Sequence, residues 1–341
     1  MKAIRCAVIG CGRIGCGFDD DLSKIIKTHA GSYYKNSQTN LVALCDMDVN
    51  KLKKYGKKYN ITKLYENSSK MFKEENIECV SICTLVETHL ELVKEAAKFN
   101  VKGIFLEKPI SSSLKEAQEI IDICKKNKIS LMIDHQRRFD PFYNNIQQLI
   151  NQKKIGRIQT INVYYGSGIA NTGSHLFDLI RLFFGEIISL KSHASKNNSN
   201  NIMDPNFDIR LELSNKIICN IIALNYENYG LFEMDIIGTT GRIKLNLASN
   251  QIEYFKIDST DSLVYKKLTK NKIKIKRSKQ SPIQLGIKNL IEVIKTKKQL
   301  KCTGLDGYKS LELIIASINS AKKGRKIELP LTNKNYNIDS K

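Results

Sequence analysis

The chain is 341 residues long, enough for two domains, and its 42% hydrophobic and 26% charged residues are those of a folded soluble protein, which excludes disorder. Lysine and arginine outnumber aspartate and glutamate by 55 to 34, a formal charge of +21, but the basic residues are dispersed and carry no recognition motif, so no nucleic-acid partner is expected. The nine cysteines form no Cys-x-x-Cys pair, the histidines show no zinc spacing and no apolar run is long enough for a membrane span, so the expectation is a cytoplasmic protein without disulfides, metal or membrane contact.

Residues 5–9 read as a buried strand running directly into Gly10-Cys11-Gly12-Arg13-Ile14-Gly15. This is G-x-G-x-x-G in the position that the dinucleotide fingerprint requires. The first glycine permits a tight turn, the second lets backbone approach a pyrophosphate, and the third lets a helix pack close to the strand. Amides at the start of that helix then face the phosphates. A second strand, 41–45, ends at Asp46, placed to accept hydrogen bonds from an adenosine ribose, which argues for NAD over NADP. The gap from Gly15 to Asp46 exceeds the usual ~20 residues, so residues 16–24 are expected to be an insertion before a helix resumes near His29. Asp19, Asp20 and Asp21 within it read as a solvated loop, the alternative being a flap at the mouth of the cofactor site.

Residues 50–59 read as a helix and 79–83 as an interior strand followed by Thr84 and His89. Residues 90–99 have helical spacing, with Leu92, Val93, Ala96 and Ala97 on one side. The next apolar run, 104–106, ends abruptly in Glu107-Lys108-Pro109. Ligands of open parallel α/β sheets bind beyond the carboxyl ends of the strands, and proline both stops the strand and restrains the residue before it, so Lys108 is aimed at the site. A helix over 113–126, capped by Ser112 or Ser113, and a strand over 129–133 complete an alternation that a doubly wound, Rossmann-type parallel sheet explains. The first domain is expected to span 1–135, with a polar hinge from Asp134 to Pro141.

Residues 136–341 read as an α+β domain with a large, mainly antiparallel sheet. Its expected helices are 142–152, 282–297 and 306–323, and its strands 158–165, 209–213, 217–224, 231–237 and 242–247, with a lysine-rich edge at 266–279. Segment 171–185 departs from sheet packing. Ser174 can cap a helix that Gly185 ends, which sets His175 in the first turn with Asp178 on the same face. A histidine near a helix N-terminus is held towards the neutral form that a proton acceptor needs.

Taken together, these residues resemble the glucose-fructose oxidoreductase, inositol dehydrogenase and rhizopine-catabolism family, Gfo/Idh/MocA, over nearly the whole chain. Gly10, Gly12 and Gly15, with Arg13 and Ile14 between them, resemble its nucleotide loop, Asp46 its ribose ligand, and Thr84 with His89 its fourth-strand motif. Glu107-Lys108-Pro109 resembles its signature, residues 171–178 its substrate-side motif, and Leu305-Asp306-Gly307 with the final helix its C-terminal return. The resemblance implies an NAD-dependent dehydrogenase or reductase acting on a CH–OH group of a sugar, cyclitol or nucleotide sugar. It places Glu107 and Lys108 at the cofactor, Lys108 and His175 in the transfer of the hydroxyl proton, and Asn171, His175 and Asp178 at the substrate. It also implies a homodimer or homotetramer assembled through the second domain's sheet. Inositol dehydrogenases carry aspartate where this chain has Asn171, which can hydrogen-bond a hydroxyl but not take its proton. Residues 17–21, 29–31 and 135–139 are most similar to family members from bacterial surface-sugar pathways. The contrasting reading is a non-catalytic dinucleotide-binding regulator or partner subunit, against which the presence of both Lys108 and His175 argues.

Overall fold

The computed structural model describes residues 2–20, 25–197, 203–227, 229–258, 266–334 and 338. β1 (Ile4–Ile9) has Cys6, Ala7 and Val8 fully buried, the unbroken apolar run of a strand covered on both faces. With it run β2 (Thr39–Cys45), β3 (Lys63–Tyr65), β4 (Cys79–Ile82), β5 (Gly103–Leu106) and β6 (Ser130–Ile133). The connecting helices are α1 (His29–Lys35), α2 (Val49–Tyr59), α3 (Ser68–Glu75), α4 (His89–Ala96) and α5 (Leu114–Lys126). The six strands form one parallel sheet in the order β3-β2-β1-β4-β5-β6. Strand order reverses between β1 and β4, the switch point at which such sheets bind ligands. β3 and α3 lie where the sequence predicts no element, because β3 is three residues long with a single buried side chain.

α1 stacks on the turn of the glycine loop. His29 N and Ala30 N donate to the carbonyls of Ile14 and Gly15 at 3.2 and 2.9 Å, so the helix takes up the backbone of that turn from across the insertion. The expected insertion therefore runs on to Thr28, whose side chain caps α1 by accepting from Gly31 N. Asp19 and Asp20 are not a merely solvated stretch. Asp19 accepts from Lys27 N and the Thr28 hydroxyl. Asp20 accepts from Lys54, Tyr55 and Lys58 on α2; burial opposes its charge, but the lysines and the tyrosine hydroxyl hold its pKa down at about 2. Asp21 lies outside the described residues.

The second unit starts with α6 (Pro141–Asn151) and β7 (Ile158–Tyr165), followed by a π-helical segment (Gly168–Gly173) that leads into α7 (Ser174–Phe184). Then come β8 (Ile187–Ala194), β9 (Phe207–Leu213), β10 (Ile218–Ala223), β11 (Glu233–Gly238), β12 (Gly241–Asn246), β13 (Gln251–Ile257) and β14 (Leu268–Asn271). After α8 (Pro282–Thr296) and α9 (Gly304–Lys323), β15 (Ile327–Glu328) closes the far edge. The nine-stranded sheet runs β14-β13-β12-β11-β7-β10-β9-β8-β15 and is antiparallel except for the β7–β10 pair. Its alternation is plain in β9, where Phe207, Ile209, Leu211 and Leu213 are buried and Arg210 is exposed. β8, β13 and β15 are additions to the expected set; β13 buries Tyr254 alone, which leaves its pattern weak. Within the lysine-rich stretch only 268–271 is a strand, fully exposed at the sheet edge.

The two units are not the expected 1–135 and 136–341. The first runs to Asp140 and also takes Ser278–Lys309, the second holding Pro141–Arg277 and the residues from Ser310. The reason lies in α8, whose apolar side, with Ile287, Leu290 and Ile291, is buried. Leu290 and Ile294 occupy the space beside Gly103 of β5, and Gly286 lies against Phe105 and Phe139. Among the described residues no helix is long and apolar enough to cross a membrane.

Candidate active site

At the end of β1 the backbone turns at Gly10, whose φ is +93° and whose N–H donates to Cys45 O at 2.8 Å. A Cβ there would stand 2.7 Å from the Cys83 carbonyl, and one on Gly15 would stand 1.9 Å from Gly10 O, so both positions need glycine. Gly12 differs, because nothing lies within 4 Å of where its Cβ would be. That opening is what close approach of a pyrophosphate to the backbone requires. Asp46, just past β2, accepts from Cys11 N at 2.6 Å through Oδ2 and from Asp48 N at 2.8 Å through Oδ1. Its carboxylate is thereby fixed at the rim of the glycine turn. Arg13 is exposed, with its guanidinium 4.8 Å from the Phe18 ring centre, and Ile14 is half-buried. These features fit NAD: a cradle open at Gly12, with an acceptor at its ribose end.

The loop after β4 carries Thr84, half-buried and hydrogen-bonded to Thr88 at 2.7 Å. His89 is buried, its ring nitrogens 3.2 Å from Ile110 O and 3.3 Å from Thr84 O. Burial outweighs the pull of those carbonyls and lowers its pKa. His89 thus ties the loop after β4 to the turn after β5, and the cofactor contact expected of it becomes a bracing role. Glu107 is likewise turned inward. Its Oε1 lies 3.1 Å from His29 Nε2, and its Oε2 accepts from Lys108 N at 3.3 Å. Of the signature, Lys108 stays half-buried, followed by a cis peptide to Pro109, while Glu107 anchors the turn from beneath.

Sequence spacing predicts no metal and no cluster here, yet the fold gathers His29, Glu107 and Asp134 from three distant positions, with ligand atoms within 4.8 Å of one another. His29 and Asp134 are fully buried, and Asp134 Oδ2 is 3.7 Å from His29 Nε2, beyond hydrogen-bond range. His29 Nδ1 lies 2.8 Å from Ser81 Oγ, which donates onward to the Tyr33 hydroxyl at 3.0 Å. Burial pushes Asp134 up, the Glu107 charge pushes it further, and its pKa reaches about 7 although His29 works the other way. Glu107 moves down: burial opposes this, but the hydrogen bond and charge of His29 prevail. Burial also opposes charge on His29, but its neighbours raise its pKa well above the ordinary value. Cys83 contributes only as a thiolate, and its own thiol is pushed up by burial, so near neutrality the carboxyl groups carry that rise.

In the second unit the helical backbone begins at Gly168, not at Ser174. Ser174 is itself helical, and its hydroxyl donates to Asn171 O at 2.9 Å, so it is no N-cap. Asp204, 3% exposed, supplies the cap from a distant loop: Oδ1 accepts from Ala170 N at 2.7 Å and Oδ2 from Asn171 N at 2.9 Å. Asn206 Oδ1 adds a bond from Gly168 N at 2.9 Å. His175 therefore sits well inside the helical run, and the helix-terminus argument for its neutral form does not hold. It is half-buried, Asp178 is buried on the same helical face, and Asn171 is exposed.

A six-stranded parallel sheet of this order, with a glycine turn at its switch point and an acidic residue after β2, defines a dinucleotide-binding oxidoreductase fold. Residues 4–135 match the NAD-binding Rossmann fold of the Gfo/Idh/MocA oxidoreductase family and residues 164–329 match its C-terminal alpha/beta domain. The chain belongs to this family, and NAD is the cofactor of its first domain. It is similar to D-apiose dehydrogenase of Paraburkholderia graminis, 23% identical over 343 residues that cover 93% of this chain and 88% of the relative. It is 24% identical to the scyllo-inositol 2-dehydrogenase (NAD(+)) of Bacillus subtilis over 96% of each chain. Among solved structures, the WlbA dehydrogenase of Bordetella pertussis, in complex with NADH and UDP-GlcNAcA, superposes with a TM-score of 0.78 at 19% identity, covering 97% of this chain and 100% of that one.

Proposed function

We propose that the protein is an NAD-dependent dehydrogenase or reductase of a ring hydroxyl, or the matching ketone, in a sugar, cyclitol or nucleotide sugar. The observation that carries this reading is Lys108 at the carboxyl end of β5, on the sheet edge that also holds the open Gly12 turn and Asp46. Bound NAD supplies the hydride acceptor or donor. Gly10, Gly12, Arg13, Ile14 and Gly15 hold its pyrophosphate and Asp46 its adenosine ribose, while Thr84 lines the site. The Lys108 ammonium is aimed at the substrate oxygen, where a fixed positive charge stabilises a developing alkoxide. His175 takes or returns the hydroxyl proton together with Lys108. Asn171 orients the sugar, and Asp178 orients either the sugar or the His175 ring. Sugar, cyclitol and nucleotide-sugar chemistry among the relatives supports the substrate class.

The open face of the second sheet supports self-association as a homodimer or homotetramer. It carries an ordered polar ladder, with Asp235 and Arg242 paired through two bonds of 2.8 and 2.5 Å and Asn220 bridging Arg210 and Asn162, beside the exposed Ile222. Light scattering at micromolar concentration tests this, and a monomer alone would contradict it. All nine cysteines are free thiols, which supports a reducing, cytoplasmic setting.

The function is tested by incubating purified protein with NAD+ and a panel of inositols, aldoses and nucleotide sugars while following NADH absorbance, with mass spectrometry of any ligand released on denaturation. NADH formation with a member of the panel is the expected result. NAD binding without turnover of any member, and no retained sugar, would favour the non-catalytic reading.

A further inference from the structure

The cluster beneath Lys108 has a charge imbalance that its geometry resolves in one way. Ser81 donates to Tyr33, so His29 Nδ1 must donate to Ser81; His29 Nε2 faces carboxyl oxygens, which accept. With both ring nitrogens donating, His29 is an imidazolium. One buried carboxylate balances it, and Glu107, at 3.1 Å, is that partner. Asp134 is then a second carboxyl group, fully buried, beside Glu107, with no hydrogen bond to either oxygen among the described residues. Two like charges sharing a buried site do not both ionise.

We infer that Asp134 is a neutral carboxylic acid that shares its proton with Glu107, and that it acts as a positioning residue by keeping the His29–Glu107 pair, and with it the turn that carries Lys108, in one arrangement. A proton on Asp134 turns a repulsive contact between two acceptors into an O–H···O hydrogen bond. The groups acting on this proton are His29 from α1, Glu107 after β5 and Cys83 after β4, while Lys108 and His89 act on Glu107. Burial keeps the Cys83 thiol protonated near neutrality and lowers the pKa of His89. The Lys108 charge and His29 stabilise Glu107 as the anion, which leaves the proton on Asp134. Its titration near 7 places loss of the proton within the working range of pH.

The proton is tested on purified protein without any substrate. Infrared spectra of the wild type at mildly acidic pH should contain a protonated-carboxyl C=O band that disappears as pH rises through about 7. Asp134→Asn should abolish the band, and so should Glu107→Gln, which leaves Asp134 in place but removes the like charge beside it. Absence of the band in the wild type, or its persistence in both variants, would overturn the inference. So would a stoichiometric divalent metal that survives dialysis, because the three side chains would then be its ligands. The positioning role rests on the dehydrogenase reading and is read separately: the wild-type kcat profile should show an ionisation near neutrality that Asp134→Asn lacks. The same ionisation in both proteins would remove that role and leave the proton standing, while a protein without turnover would refute the dehydrogenase reading alone.

Discussion

Asp134 and Asp204 are buried almost equally, 0% and 3% exposed, and each lies beneath a segment assigned to the site, yet they hold it by opposite means. Asp204 meets two backbone N–H groups at the opening of the His175 helix and caps them. Asp134 meets a carboxylate, with no donor at hand, and answers with a proton. Burial does not decide what an aspartate does; the partners waiting for it do. The anchor beneath Lys108 is therefore one whose proton a mild rise of pH can remove.

The largest effect expected of any single change is at Lys108, on the turn that Asp134 underlies. Lys108→Ala should lower turnover by about a hundredfold or more, the scale of general acid–base catalysis, with circular dichroism little altered. Asp204→Ala should come next. It leaves two part-buried N–H groups without their acceptor, at a cost of about 1 kcal/mol in denaturant unfolding, and turnover that depends on His175 should fall with it. Equal stability of this variant and the wild type would show that water replaces the cap.

Asp134→Asn sharpens the contrast through pH. A carboxyl whose pKa is about 7 when folded and ~3.9 when unfolded stabilises the fold fully at low pH, and that stability is lost as pH rises between those values, by about 1.4 kcal/mol per unit. His29, raised on folding, acts in the same direction above ~6.5, whereas Glu107, lowered on folding, acts oppositely and only on the acid side of ~4.3. The stability of the wild type relative to Asp134→Asn, from denaturant titrations at several pH values, should therefore fall as pH climbs towards 7. A difference independent of pH would contradict the assignment. The last effect concerns cofactor choice. With Asp46 fixed at the rim of the glycine turn, NAD(H) should bind at least tenfold more tightly than NADP(H), about 1.4 kcal/mol, and equal affinities in a fluorescence titration would remove Asp46 from that role.

What the chain announces locally was legible in it. The glycine turn, Asp46 and Glu107-Lys108-Pro109 each sit at the end of an apolar run, and the parallel sheet follows from their alternation with helices. What depends on distant partners was not. Glu107 is a neighbour of Lys108 in sequence, but nothing local says that it turns inward to a histidine on the far side of an insertion and to an aspartate after β6. Asp204 caps a helix that starts more than thirty positions earlier, and the nearby Ser174 offers a local signal that the fold does not use. β3 and β13 escape for a different reason, since each buries one side chain and shows no period to read.

Lys108 and His175 are proposed to serve one proton transfer. A double-mutant cycle on a turned-over substrate, comparing kcat for wild type, Lys108→Ala, His175→Ala and the double variant, tests it most directly. Each single change is expected to cost about a hundredfold or more, and the double variant to lose far less than their product. Losses that simply multiply would contradict it.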